Sequence, residues 1–315
     1  MDQPLTHRPV MMDEVLSALD PRPGETVVDA TLGLGGHAAE ILKRIGPTGR
    51  LLGIERTSEG LSTARERLAA SARQLVLVQA DFRTLEEIVH DAAWEAVDGL
   101  LFDLGLASWQ VDTGYRGLSF QVEAPLDLRL TPQRPQDFTS QDEDPSQWTR
   151  DAMLARVVRT WRFRSAAEFV NTAPEPYLAK ALSGLGDVTS ARTLAHRVVT
   201  GRPIHTTGEL VTALGTRDPA RLAPVFQALR ILAGDEFGAL VAGLRAGWRL
   251  LAPGGRLVVL SFHSGEDRIV KQFLRSVSVP TLRAHPSDAE QRANPRSRSA
   301  TLRAATKPIT DHEEE

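Results

Sequence analysis

Val27-Val-Asp-Ala-Thr-Leu-Gly-Leu-Gly-Gly-His-Ala38 reads as a buried strand, an acid at its end and a glycine-rich turn into a helix. Gly33, Gly35 and Gly36 let the backbone lie close to a ligand where a side chain would collide, and the helix that follows points its N-terminus at the same place. The spacing Gly33-x-Gly35-x-x-Ala38 fits the loose dinucleotide fingerprint, which by itself also describes a plain strand-to-helix connection. Its position adds to it: Glu55 closes the next apolar strand, about twenty residues on, where an acid can bind ribose hydroxyls.

Working outward, strands are expected at Thr26–Asp29, Arg50–Glu55, Leu75–Val78, Val97–Asp103 and Arg256–Phe262. A further strand is expected near Ala300–Ala305, and helices run between the strands, among them Ser58–Ala72 with Ser58 as cap. Strands alternating with helices imply parallel pairing, and wholly apolar runs such as Gly99–Phe102 suit burial on both faces. The fold class expected is α/β, a doubly wound open sheet. From Ser108 to about Ala220 the alternation breaks into a polar, proline-rich loop and helical patterns, with Thr207 as the cap of a helix over Gly208–Leu214. A long helix from about Pro224 to Leu251 and the turn Ala252-Pro-Gly-Gly then restore the alternation.

Composition narrows the function classes. With 315 residues the chain is long enough for one large domain or two modest ones. It has no cysteine, hence no disulfide framework, thiolate nucleophile or Cys-based zinc site. The formal net charge of −3 says little about partners, although Arg283–Lys307 is rich in arginine and hints at a polyanion. No stretch has the apolar length of a secretory signal or a membrane span, so a soluble, cytoplasmic protein is expected.

Asp29, Glu55, Asp81 and Asp103 all end strands at the carboxyl edge of the sheet, where open parallel sheets bind ligands. Singly, such an acid is usually a helix cap or a solvated turn. Two cofactor classes compete for four in succession. A nicotinamide dinucleotide lays its pyrophosphate on the helix N-terminus, and Asp29 would repel it. S-adenosylmethionine carries a sulfonium and an ammonium and no phosphate, so Asp29 can face its methionine part, Glu55 the ribose, and Asp81-Phe82 the adenine.

His7-Arg-Pro-Val, Asp29-Ala-Thr-Leu-Gly-Leu-Gly-Gly-His, Phe102-Asp-Leu-Gly-Leu-Ala-Ser-Trp-Gln-Val-Asp, Arg116-Gly-Leu-Ser-Phe, Pro125-Leu-Asp-Leu-Arg, Phe226-Gln-Ala-Leu-Arg-Ile, Ser261-Phe-His-Ser-Gly-Glu-Asp-Arg and Asn294-Pro-Arg-Ser-Arg-Ser-Ala stand in this order. Together they resemble the bacterial 16S rRNA cytosine-N4 methyltransferases (RsmH, or MraW). The resemblance implies a Rossmann-like, S-adenosylmethionine-dependent methyltransferase sheet in two parts, 1–120 and 221–315. It implies a helical insert at 121–220 for substrate recognition. It implies N4-methylation of a cytidine in the decoding region, with 16S rRNA or the small ribosomal subunit as partner. Cofactor contacts would be Gly35, Gly36, His37, Glu55, Phe82, Asp103 and Gln110, with the target amine received at Asp103–Ser108.

A cytosine amine is a poor nucleophile, so an acceptor that polarises its N–H helps. Asp103 is the first candidate, with Ser108 or a backbone carbonyl near Leu104 as substitutes. Phe262 and His263 can stack on and touch an unpaired base, or else serve as core and helix cap. Arg116, Arg129, Arg268, Arg296 and Arg298 are candidate phosphate ligands. His263, Glu266 and Asp267 read as a helix start rather than a metal site, and no metal is expected. The chain departs from the family pattern at Glu55 for aspartate, Ala107 for serine, Gly234 for asparagine, Gly265 for leucine, and Asp187-Val188 for two glutamates. These lie mostly on the substrate side, which leaves a methyltransferase for another amino substrate, or a non-catalytic cofactor-binding RNA protein, as alternatives.

Overall fold

The computed structural model describes residues 9–106, 110–111, 114–131 and 144–309. The chain divides into two compact units, Met1–Gly105 with Leu240–Glu315, and Leu106–Ala239.

The first unit is built on a seven-stranded sheet of order β3-β2-β1-β4-β5-β7-β6. Its strands are β1 (Thr26–Asp29), β2 (Arg50–Glu55), β3 (Leu75–Gln79), β4 (Val97–Asp103), β5 (Leu251–Ser261), β6 (Leu282–Ala284) and β7 (Thr301–Thr306). The first five are mutually parallel, whereas β7 runs antiparallel to β5 and β6 to β7. All four residues of β1 are buried, as its apolar sequence requires between two helical layers. Strand order reverses between β1 and β4, so the ligand crevice of such a sheet opens at their carboxyl ends, at Asp29 and Asp103.

Helices α1 (Met12–Leu19), α2 (Gly36–Ile45), α3 (Ser58–Arg67) and α4 (Leu85–Asp91) lie within the first ninety-one residues. In α2 the buried positions His37, Ala38, Ile41, Leu42 and Ile45 fall on one helical face. Gly35, at φ 76°, is its N-cap, a left-handed conformation that glycine adopts without strain. The cap of α3 is Thr57, whose hydroxyl accepts from Gly60 N–H, and not Ser58.

The second unit is helical. It comprises α5 (Ala152–Trp161), α6 (Ala166–Thr172), α7 (Glu175–Gly186), α8 (Ala191–Thr200), α9 (Thr207–Leu214) and α10 (Pro219–Gly234). Expected edges at 121 and 220 thus move to 106 and 239, because α10 packs on α7 inside this unit. Thr206, rather than Thr207, caps α9 through a full capping box with Glu209. Thr207 is fully buried and its hydroxyl donates to the Val122 carbonyl.

The expected single helix from Pro224 to Leu251 is two. Asp235, at φ 47° and ψ 45°, ends α10, and α11 (Glu236–Leu250) follows. The Asp235 carboxylate is 1% exposed and pairs with Arg162 at 3.1 Å, which holds the break in place. Further on, Gly243 and Gly247 share a face of α11, where an added Cβ would lie 2.8 Å from Phe82 and 2.1 Å from Leu100. Glycine there lets the helix close onto the sheet. The run Ala252-Pro-Gly-Gly is not a turn before β5 but part of it. The β4–β5 register shifts between Val97 and Gly99, and this irregularity absorbs the proline and glycines.

Candidate active site

The crevice is assembled from four strand ends of the first unit. Asp29 ends β1 and is 1% exposed. Its Oδ1 accepts from Thr31 N–H at 3.2 Å. Burial pushes its pKa up to about 7, with nearby Asp103 and Glu55 adding to the effect and His37 opposing it. Asp103 ends β4, and its backbone N–H donates to the Thr31 hydroxyl at 2.5 Å. Oδ2 of Asp103 lies 3.4 Å from Nδ1 of His37, in the first turn of α2. Oδ1 of Asp103 is buried and has no hydrogen-bond partner among the described residues.

Glu55 anchors the glycine loop. Its carboxylate accepts from Gly33 N–H at 3.0 Å, and from the Thr57 N–H at 2.8 Å and hydroxyl at 2.6 Å. Burial raises its pKa against these hydrogen bonds. The glycine loop, Asp29, His37, Glu55 and Asp103 are therefore brought together as the sequence leads one to expect.

Asp81 and Phe82 have other engagements. Asp81 caps the short turn that follows by accepting from Arg83 N–H, and lies 3.3 Å from Arg56 and 3.4 Å from Arg83. The Phe82 ring is 8% exposed and meets Phe102 edge-on at 5.4 Å, so most of it is spent on the core. Phe262 is half-buried, and its ring flanks Gly105, where the chain leaves β4. His263 is the N-cap of α12 (Ser264–Ser276). Its Nδ1 accepts from Glu266 N–H at 3.4 Å, and its Nε2 lies 3.2 Å from Glu266 Oε1. The ring thus serves the helix terminus, one of the two roles expected for it.

Of the candidate phosphate ligands, Arg268, Arg296 and Arg298 are exposed on the first unit. Arg116 and Arg129 belong to the second unit, where both bind Asp127, at 3.0 and 2.5 Å. Arg129 also donates to the Phe163 carbonyl. That pair is a structural clasp rather than a free phosphate site. Gln110 is buried, 4% exposed, in the second unit, and Ser108 lies outside the described residues. Among the described residues no group of three or more metal-ligating side chains is placed to hold a metal ion.

Sequence reasoning missed Thr31, which ties the two acids together, and Val10, whose carbonyl oxygen lies 3.1 Å from His37 Nε2. The spacing Asp29-x-Thr31, typical of an acid accepting from the backbone two residues on, was a usable signal for the first. Nothing local marks the second.

Chemically, three carboxylates, of which Asp103 has an oxygen unpaired among the described residues, make a lining for a cationic ligand with hydrogen-bond donors. A pyrophosphate finds only repulsion at Asp29 and Asp103. A sulfonium amino acid joined to a ribose fits the donor set.

Residues 4–143 and 146–284 match the sequence profile of the MraW methylase family. Ribosomal RNA small subunit methyltransferase H of Symbiobacterium thermophilum is 37% identical over 334 residues, covering 96% of each chain. The protein of that name from Rubrobacter xylanophilus is 38% identical over 335 residues, covering 95% of each. That from Geotalea uraniireducens is 39% identical over 334, covering 96% of this chain and 98% of its own.

Proposed function

The chain belongs to the MraW methylase family, and from that premise we propose that it methylates N4 of a cytidine in the decoding region of 16S rRNA. It is a methyltransferase for small-subunit ribosomal RNA, and S-adenosylmethionine is its cofactor. Its place of work is the cytoplasm, with the ribosome. The observation that carries the choice of an amine is Asp103, which offers at the end of β4 a buried carboxylate oxygen with no hydrogen-bond partner among the described residues.

The cofactor, when bound, supplies an electrophilic methyl group on a positive sulfur. Asp29 and Asp103 favour that positive charge, Glu55 serves the ribose, and the loop at Gly33, Gly35 and Gly36 lets the backbone lie close. Oδ1 of Asp103 accepts an N–H of the target amine, which frees nitrogen lone-pair density for in-line attack and takes the proton as the N–C bond forms. Arg268, Arg296 and Arg298, exposed on the same unit, serve the RNA backbone. The helical unit is the substrate-recognition part.

The test is methyl transfer from labelled cofactor to small subunits and to free 16S rRNA, with mass-spectrometric mapping of the mark. Label on a cytidine N4 that is lost in Asp103→Ala, with RNA affinity retained, is the expected result. Folded, cofactor-bound protein that transfers no label, or label on another atom, overturns it.

A further inference from the structure

The imidazole of His37 has an acceptor on each side. Nε2 lies 3.1 Å from the carbonyl oxygen of Val10, and Nδ1 lies 3.4 Å from Oδ2 of Asp103. The ring is 5% exposed, so water does not substitute for either partner. Neither a carbonyl nor a carboxylate has a hydrogen to give. Both contacts are therefore satisfied together only when both ring nitrogens carry hydrogen.

The surroundings suit that cation. Asp29, on the neighbouring strand, adds a second carboxylate, and Glu55 stands close enough to Asp29 to act on its charge. Burial draws the His37 pKa down, but the hydrogen bond and charge of Asp103, then the charge of Asp29, then the Val10 carbonyl, leave it raised. The Val10 side is also built. The next residue, Met11, is fully buried at φ 53°, and its N–H donates to Glu290 Oε1 at 2.6 Å.

Asp103 is consequently gripped twice, by Thr31 at its backbone and by His37 at Oδ2, and among the described residues Oδ1 has no partner. The geometry points to the His37 ring as a positioning group, which holds Oδ2 of Asp103 so that Oδ1 is aimed at the target amine. This rests on the methyl-transfer reading above. In that reaction the amine electron pair forms the N–C bond, the C–S pair returns to sulfur, and one amine proton passes to Oδ1. His37 keeps both its protons throughout and fixes where the acceptor stands.

Nitrogen-15 NMR of histidine-labelled protein, with the ring signals assigned through the bonds to their own backbone, tests the pairing without any turnover. Both His37 nitrogens should be protonated at neutral pH in the wild type, and Asp103→Asn should return the ring towards the neutral form. Kinetics then test the role. His37→Asn should lower kcat about 100-fold while the cofactor Kd stays within about threefold. The double variant with Asp103→Asn should be no slower than Asp103→Asn alone, since the two act as one unit.

A neutral ring in the wild type overturns the proposal. So does a cofactor Kd that rises in step with the loss of kcat, or losses that multiply in the double variant. His37→Gln, measured in the same way, stands in if His37→Asn does not fold. If the wild-type protein transfers no methyl group, the function is refuted, while the NMR titration and cofactor affinities still decide the pairing.

Discussion

The hydroxyl of Thr31 accepts the backbone N–H of Asp103 at 2.5 Å, and the Thr31 N–H donates to Asp29 Oδ1 at 3.2 Å. One residue, through its backbone N–H and its hydroxyl, thus ties the ends of β1 and β4 across the point where strand order reverses. Thr31→Val keeps the shape and removes the acceptor, leaving a partly buried N–H unpaired at a cost of about 1–3 kcal/mol. Urea denaturation should register that loss, and kcat should fall because Asp103 is no longer held. Thr31→Ser keeps the oxygen and should restore both.

Asp29 sets a pH dependence with a definite sign. Its folded-state pKa is raised to about 7 from 3.8, so between those values the folded chain holds a proton that the unfolded chain has lost. Its contribution to stability is full at low pH and is lost as pH rises through the folded pKa, at roughly 1.4 kcal/mol per pH unit in between. Asp29→Asn should therefore flatten the decline in stability across that window and be more stable than wild type at pH 8. A bound cation favours the ionised acid. Cofactor affinity should rise with pH towards neutrality in the wild type and be weaker, with less dependence on pH, in Asp29→Asn.

The elements that frame the site were legible where a local pattern had one meaning. Val97–Asp103 and Thr26–Asp29 are short apolar runs ending in an acid, and each is a strand with the boundaries expected. The break at Asp235 was not legible, because apolar helical spacing continues on both sides and a non-glycine residue supplies the left-handed turn. Pro253-Gly-Gly read as a turn because its signal is local, whereas the pairing that draws it into β5 comes from β4 and β7. Within the site, the acids and glycines were visible in the sequence. Of their partners, Thr31 showed only in its spacing from Asp29 and Val10 not at all, since the contacts to Asp103 and His37 span 72 and 27 residues.

The helical unit holds a close approach of backbone to backbone. A Cβ at Gly186, the last residue of α7, would lie 2.2 Å from the carbonyl oxygen of Pro224 in α10. The obstacle is backbone, so the helices must separate rather than a side chain rotate. Gly186→Ala should destabilise the unit by about 1–3 kcal/mol in chemical denaturation. Gly46, where an added Cβ meets nothing within 4 Å but φ is 64°, is a useful contrast, since alanine there is strained by conformation alone.

Two sets of arginines should behave differently towards RNA. Arg296 and Arg298 are exposed in the short turn Pro295–Ser299, next to β7. If each neutralises a phosphate, replacing both by alanine should weaken binding to 16S rRNA and reduce the slope of log K against log salt by about 0.7–0.9 per arginine. Arg116 and Arg129 instead share Asp127. Arg129→Ala should lower stability and leave the salt slope unchanged, because it removes a clasp and not a phosphate contact. Filter binding at several salt concentrations separates the two, and an unchanged slope in the Arg296/Arg298 variant would remove that turn from the RNA surface.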